Sequence, residues 1–96
     1  MSPTNKKKLD LLRIKLDKLD TELLKLIKKR SNLVNDVLKV KIHKKEIIDQ
    51  KRISFILKKI KKKSIQLKID PKISNRIWKN MIWSFIDYEK RNFKKK

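Results

Sequence analysis

The sequence predicts an all-α protein of three helices, one long and two shorter, in an intertwined homodimer. Three observations lead there. The 96 residues contain no glycine and only two prolines, so little in the chain interrupts a helix. Apolar residues recur at steps of three and four along most of the length, the spacing of a helical face and not of a strand. From Leu12, the positions Leu16, Leu19, Leu23, Leu26, Arg30, Leu33, Val37 and Val40 come at alternating steps of four and three. That is a heptad seam sustained over about four heptads, the mark of a long helix packed against partners.

The first helix is expected over about residues 5–42. At about 1.5 Å per residue it would exceed roughly 50 Å, and a chain this small cannot cover such a length on all sides. Exchange of helices in a dimer answers that need. Residues His43 to Ile48 lose the period and read as a loop. Asp49 can cap a second helix, with Ile53, Ile56, Leu57 and Ile60 on its buried stripe. Asp70-Pro71 is a stronger start signal, a capping acid followed by proline at the first helical position. The third helix then buries Ile73, Ile77, Trp78, Met81, Ile82 and Phe85 and ends near Arg91. Trp83 is likewise read as core. Residues 93–96 form a short basic tail, its three lysines frayed and solvated.

Composition excludes several classes. With no cysteine there is neither a disulfide framework nor a thiolate metal site, and the single histidine, His43, cannot build a metal site by itself. No metal and no cofactor is therefore expected. No apolar run approaches the roughly 18–20 residues of a membrane span. Met1-Ser2-Pro3-Thr4-Asn5-Lys6 leads into charges with no apolar segment of the secretory type, so a cytoplasmic protein is expected. The net charge of +20 points first to nucleic acid. The basic residues are overwhelmingly lysine, however, isoleucine is abundant, and alanine is absent along with glycine. That is the signature of AT-rich codons, which would raise the charge without selection for a polyanion. A basic helical nucleic-acid binder is the competing class, and steeply salt-dependent binding would identify it.

Three polar positions fall on apolar faces. Arg30 lies in the seam between Leu26 and Leu33. A cation withdrawn from water is costly unless paired, so Arg30 is either one half of a structural ion pair or an anion-binding group. Lys41 lies eleven residues further on, three turns plus about 20°, on the same face and about 16 Å along the axis. With side chains that reach about 6 Å each, the gap left between the two suits a small dianion; alone, Lys41 would be a lysine favoured by the helix dipole. Glu89 succeeds Trp78, Ile82 and Phe85 at helical spacing and sets a carboxyl on an apolar stripe, or else is a surface acid near a fraying end. No glycine-rich phosphate loop and no nucleophile–base set is visible.

These positions belong to a wider pattern. Residues 12–41 contain Leu12-Arg13-Ile14, Leu16-Asp17-Lys18-Leu19-Asp20, Leu23-Leu24-Lys25-Leu26-Ile27, Arg30, Leu33-Val34 and Lys41, and this run resembles the opening helix of the AroQ-type, all-helical chorismate mutases. Asp49-Gln50-Lys51-Arg52 resembles the start of that family's second helix. Asp70-Pro71 through Ile77-Trp78 to Glu89 resembles its third. The resemblance covers about residues 9–91 and implies a mutase-like helical domain over 5–92. It implies a homodimer with two active sites that rearranges chorismate to prephenate without cofactor or covalent intermediate. Arg13 would reach into the partner subunit's site and bind one substrate carboxylate, and Arg30 the other. Lys41 would contact the ether oxygen and a carboxylate, and Glu89 would hydrogen-bond the ether oxygen. Asp49 and Arg52 would lie at the hydroxyl and carboxylate edge. Two pocket positions depart from the family pattern: Ile53 stands where most members carry a glutamate that holds the hydroxyl, and Phe85 where serine is common. The related isochorismate-pyruvate lyases can also carry an aliphatic residue at the position of Ile53, so that reaction is the alternative within the same fold.

Overall fold

The computed structural model describes residues 2–95; Met1 and Lys96, the last residue of the expected tail, lie outside them. Helix α1 spans Pro3–Val40, a single 3-10 turn spans Lys44–Ile47, α2 spans Gln50–Gln66 and α3 spans Pro71–Asn92. Among the described residues there is no strand, and no helix is long and apolar enough to cross a membrane. The chain divides into two units, Met1–Leu33 and Val34–Lys96.

Local chemistry sets each boundary. Helix α1 starts before residue 5 because Ser2 and Pro3 supply a start: the Ser2 hydroxyl accepts a hydrogen bond from the Asn5 N–H at 3.1 Å, and proline at the first position has no donor to leave unsatisfied. It ends at Val40 rather than 42 because a side chain competes for the backbone. Glu46 accepts from the N–H groups of Ile42 and His43 at 3.3 and 2.8 Å, which draws the chain out of the helix and into the 3-10 turn. Asp49 caps α2 as expected, accepting from the Arg52 N–H at 3.0 Å. Asp70 caps α3 by accepting from the Lys72 N–H, with Pro71 just inside.

The end of α2 carries no sequence signal, yet it closes in a well-formed cap. Lys68 takes a left-handed backbone with φ 58°, its N–H donates to the Ile65 carbonyl, and the Ile69 N–H donates back to the Ser64 carbonyl. This is the hydrogen-bond pattern that glycine usually closes; here a lysine bears the steric cost. Just beyond it, the small buried Ser64 and Ser74 let α2 and α3 approach closely, with their hydroxyl oxygens 2.6 Å apart and Ser64 also 2.6 Å from the Ile60 carbonyl.

In the unit Val34–Lys96 the core is Leu38, Ile47, Ile82 and Ile86, with Ile48, Ile53, Ile56, Leu57 and Phe93 packed against it. Two of these, Ile47 and Ile48, come from the segment read as loop. Three expectations for α3 need correction. Ile73 and Ile77 stand more than half exposed, and Trp83 nearly so. The stripe buried by this chain centres on Ser74, Ile82, Ile86 and Glu89. Ile73 and Ile77 precede Ile82 and Ile86 by nine residues each, about 180° around the helix, and so face away from it, while Trp83, one residue past Ile82, is rotated about 100° away. In the unit Met1–Leu33, the seam leucines Leu12, Leu16, Leu19, Leu23 and Leu26 are all between 55% and 59% exposed. The face that the heptad pattern marks for packing is therefore uncovered in the single chain.

Replacing Lys68 by glycine should stabilise the fold by about 1 kcal/mol, since the left-handed conformation costs a residue with a Cβ about that much. A urea midpoint that stays put or falls in Lys68→Gly would show that Lys68 is not strained.

Candidate active site

Lys41 is the first residue beyond α1, and its N–H still bonds to the Leu38 carbonyl at 3.2 Å. It is therefore held by the helix end without being part of it. Its Nζ donates to Glu89 Oε1 on α3 at 3.0 Å, and the side chains are only 16% and 7% exposed. Helical pitch explains the position of Glu89: three and seven residues after Ile86 and Ile82, it shares the face they bury. A carboxylate on such a face needs a partner, and Lys41 meets that need. Attraction is strong where water is scarce, and desolvation of both charges opposes it.

Lys41 also lines an open concavity of about 510 Å³ together with Glu46, Ile48, Asp49, Gln50 and Lys51. The unit Val34–Lys96 thus brings together three of the residues singled out from sequence: Lys41 and Glu89 in contact, and Asp49 on the wall Lys41 shares. Asp49 uses one lone pair for the α2 cap and retains others. Arg52 points elsewhere in this structure. Its guanidinium lies 5.2 Å from the centre of the exposed Phe55 ring, which Lys59 also approaches at 5.8 Å, contacts worth about 0.5–1 kcal/mol at an exposed site. Ile53 is half-buried against the core, and Phe85 is half-buried on α3. In the unit Met1–Leu33, Arg13 is exposed and Arg30 half-buried.

Two features escaped the sequence. Glu46 shapes the connector after Lys41, and the usual capping signal, a serine or threonine three residues before the glutamate, is absent because His43 stands there. Tyr88 donates from its hydroxyl to Asn35 Oδ1 at 2.7 Å, tying α3 to the last turns of α1; no local pattern announces a contact across 53 residues. Among the described residues, no group of three His, Cys, Asp or Glu side chains gathers to hold a metal ion.

Chemically, the site offers a cation fixed at the wall of a cavity. An ammonium has three donors and Glu89 takes one, so Lys41 can still reach an anionic oxygen. A fixed donor of this kind stabilises charge that develops on oxygen without reorganising as it does so. The family model described as chorismate mutase type II matches residues 12–90 of the chain. No curated protein and no solved structure matches it.

Because breaking a buried pair leaves one charge uncompensated, Lys41→Met alone should cost about 3 kcal/mol. The double variant Lys41→Met/Glu89→Leu should recover much of that loss in denaturant unfolding. Equal losses in the single and double variants would mean that the pair is not desolvated.

Proposed function

The chain belongs to the chorismate mutase type II family, and on that premise we propose that it catalyses the rearrangement of chorismate to prephenate, as a cytoplasmic enzyme of aromatic amino acid biosynthesis. The observation that carries the proposal is the contact of Lys41 with Glu89 at the wall of the cavity that Asp49 shares. These are the side chains the family resemblance assigns to the ether oxygen and the hydroxyl edge. The reaction breaks a C–O bond and forms a C–C bond within one molecule. It asks the protein for a compact substrate conformer and for stabilisation of charge on the departing oxygen.

In this reading Arg30 and an Arg13 contributed across a homodimer bind the two carboxylates. Lys41 donates to the ether oxygen and a carboxylate, Glu89 donates to the ether oxygen, and Asp49 and Arg52 hold the hydroxyl and carboxylate edge. Arg52 would leave Phe55 to do so, a small cost for an exposed cation–π contact. The domain is the stretch 5–92. A second copy of the chain would cover the seam leucines of α1, each more than half exposed in the single chain.

A specific observation keeps a second reading in view. Ile53 is committed to the apolar core, so the hydroxyl-binding carboxylate usual at that position has no substitute there. That favours a substrate held less by its hydroxyl, as in isochorismate-pyruvate lyases. Salicylate and pyruvate formed from isochorismate, with no prephenate from chorismate, would establish it.

Purified protein should consume chorismate and yield prephenate, Arg30→Ala should abolish turnover, and Lys41→Ala should lower kcat by at least about 100-fold. Glu89→Gln, whose amide always carries a donor, should retain turnover, whereas Glu89→Leu should lose it; equal activity in the two variants would remove Glu89 from the ether oxygen.

The dimer should sediment at about twice the 11.7 kDa of the chain. Mixing the inactive R13A and K41A proteins should restore turnover, since a hybrid dimer contains one site with both residues intact. No recovery after subunit exchange would exclude a shared site.

A further inference from the structure

The Lys41–Glu89 contact requires α3 to hold one rotation and one height against the end of α1. A single ion pair cannot impose both, because its flexible lysine tolerates rotation of α3 about that point. The second constraint comes from the neighbouring residue. Tyr88 and Glu89 are adjacent on α3 and diverge by about 100°. Tyr88 donates to Asn35 at 2.7 Å while Glu89 accepts from Lys41 at 3.0 Å. Asn35 lies five residues before the end of α1 at Val40, and Lys41 is the first residue past that end. Leu38 lies midway between them and is buried in the core with Ile82 and Ile86. Three points in a row, polar, apolar and charged, therefore register the two segments. Tyrosine has only two side-chain torsions and a rigid ring, which makes it the stiff member of the set.

We propose that Asn35 and Tyr88 are positioning residues for the reaction: their hydrogen bond sets the rotation of α3 that brings the Glu89 carboxyl to Lys41, which lines the substrate cavity. The proposal rests on the mutase reading for its catalytic consequence, while the register itself does not. The acceptor is what matters at Asn35, so a carboxylate at that position serves and an alkyl group of similar size does not.

The test combines two double-variant cycles with a conservative rescue. In denaturant unfolding, Tyr88→Phe and Lys41→Met should be non-additive, since each loosens the registration the other depends on. In turnover of chorismate, Tyr88→Phe should lower kcat by about 10- to 100-fold, the scale of a misplacement near 1 Å, with KM changed less than about threefold. In a Glu89→Ala background the same substitution should lower kcat by less than about twofold. Asn35→Asp should remain near wild type and Asn35→Leu should match Tyr88→Phe, both variants folded by circular dichroism. Additive unfolding losses, an equal fall in kcat with and without Glu89, or full activity in Asn35→Leu would each overturn the proposal. A wild-type protein that turns over no chorismate, with the unfolding cycle still non-additive, would overturn the mutase reading and the catalytic role together while leaving the register intact.

Discussion

A lysine and a glutamate 48 residues apart meet at 3.0 Å where little water reaches them, and the unit Val34–Lys96 is arranged so that they can. Glu89 is buried because it succeeds Ile82 and Ile86 on the stripe that α3 turns inward. Lys41 is available because Glu46 ends α1 one residue before it and redirects the chain. The core of Leu38, Ile47, Ile82 and Ile86 excludes water beside Glu89, and Lys41 lines the cavity shared with Asp49. Burying two charges is seldom the most stabilising way to hold helices together. A buried carboxylate that holds a cavity-lining lysine in place makes more sense as a prepared electrostatic environment than as a source of stability.

Much of the remaining polar structure supports that contact or closes helix ends. Asp49 and Asp70 cap α2 and α3, Ser64 and Ser74 permit close packing beside the turn between them, and Lys68 accepts a left-handed backbone in a chain that has no glycine to offer. By contrast, the exposed ion pairs Lys25–Glu22, Lys39–Asp36 and Arg91–Asp87 contribute little, as surface pairs generally do. The many other lysines are a solvated surface whose field favours small anions.

The long apolar seam raises a different demand. Leucines more than half exposed over several turns describe a face that a single chain leaves unfinished. Heptad spacing marks where a partner would pack, and the proposed dimer uses Arg30 on that face and Arg13 beside it. The departures at Ile53 and Phe85 bear on a narrower question. Ile53 packs against the apolar core and Phe85 is half-buried on α3. Under the proposed function both would make the pocket less suited to gripping a hydroxyl and shift substrate choice toward the carboxylate-binding cations.

The sequence by itself determined the features that local rules govern: three helices, the caps at Asp49 and Asp70, the inward stripe of α2, which is half-buried, and the heptad spacing of α1. It also marked Lys41, Glu89 and Arg30 as polar residues on apolar faces, because periodicity and burial cost are both readable along one helix. Tertiary structure alone decided which of these meet. Glu89 finds Lys41, Tyr88 finds Asn35, and Ile47 leaves its turn for the core; each depends on how segments from distant parts of the chain pack, and no local spacing encodes that. The left-handed end of α2 was hidden for a related reason. The usual glycine marker is absent, and the hydrogen bonds that hold Lys68 in place exist only once the helix has formed. Arg52 makes the point at the smallest scale: its type and place at the start of α2 were legible, but the Phe55 ring settles where its charge rests.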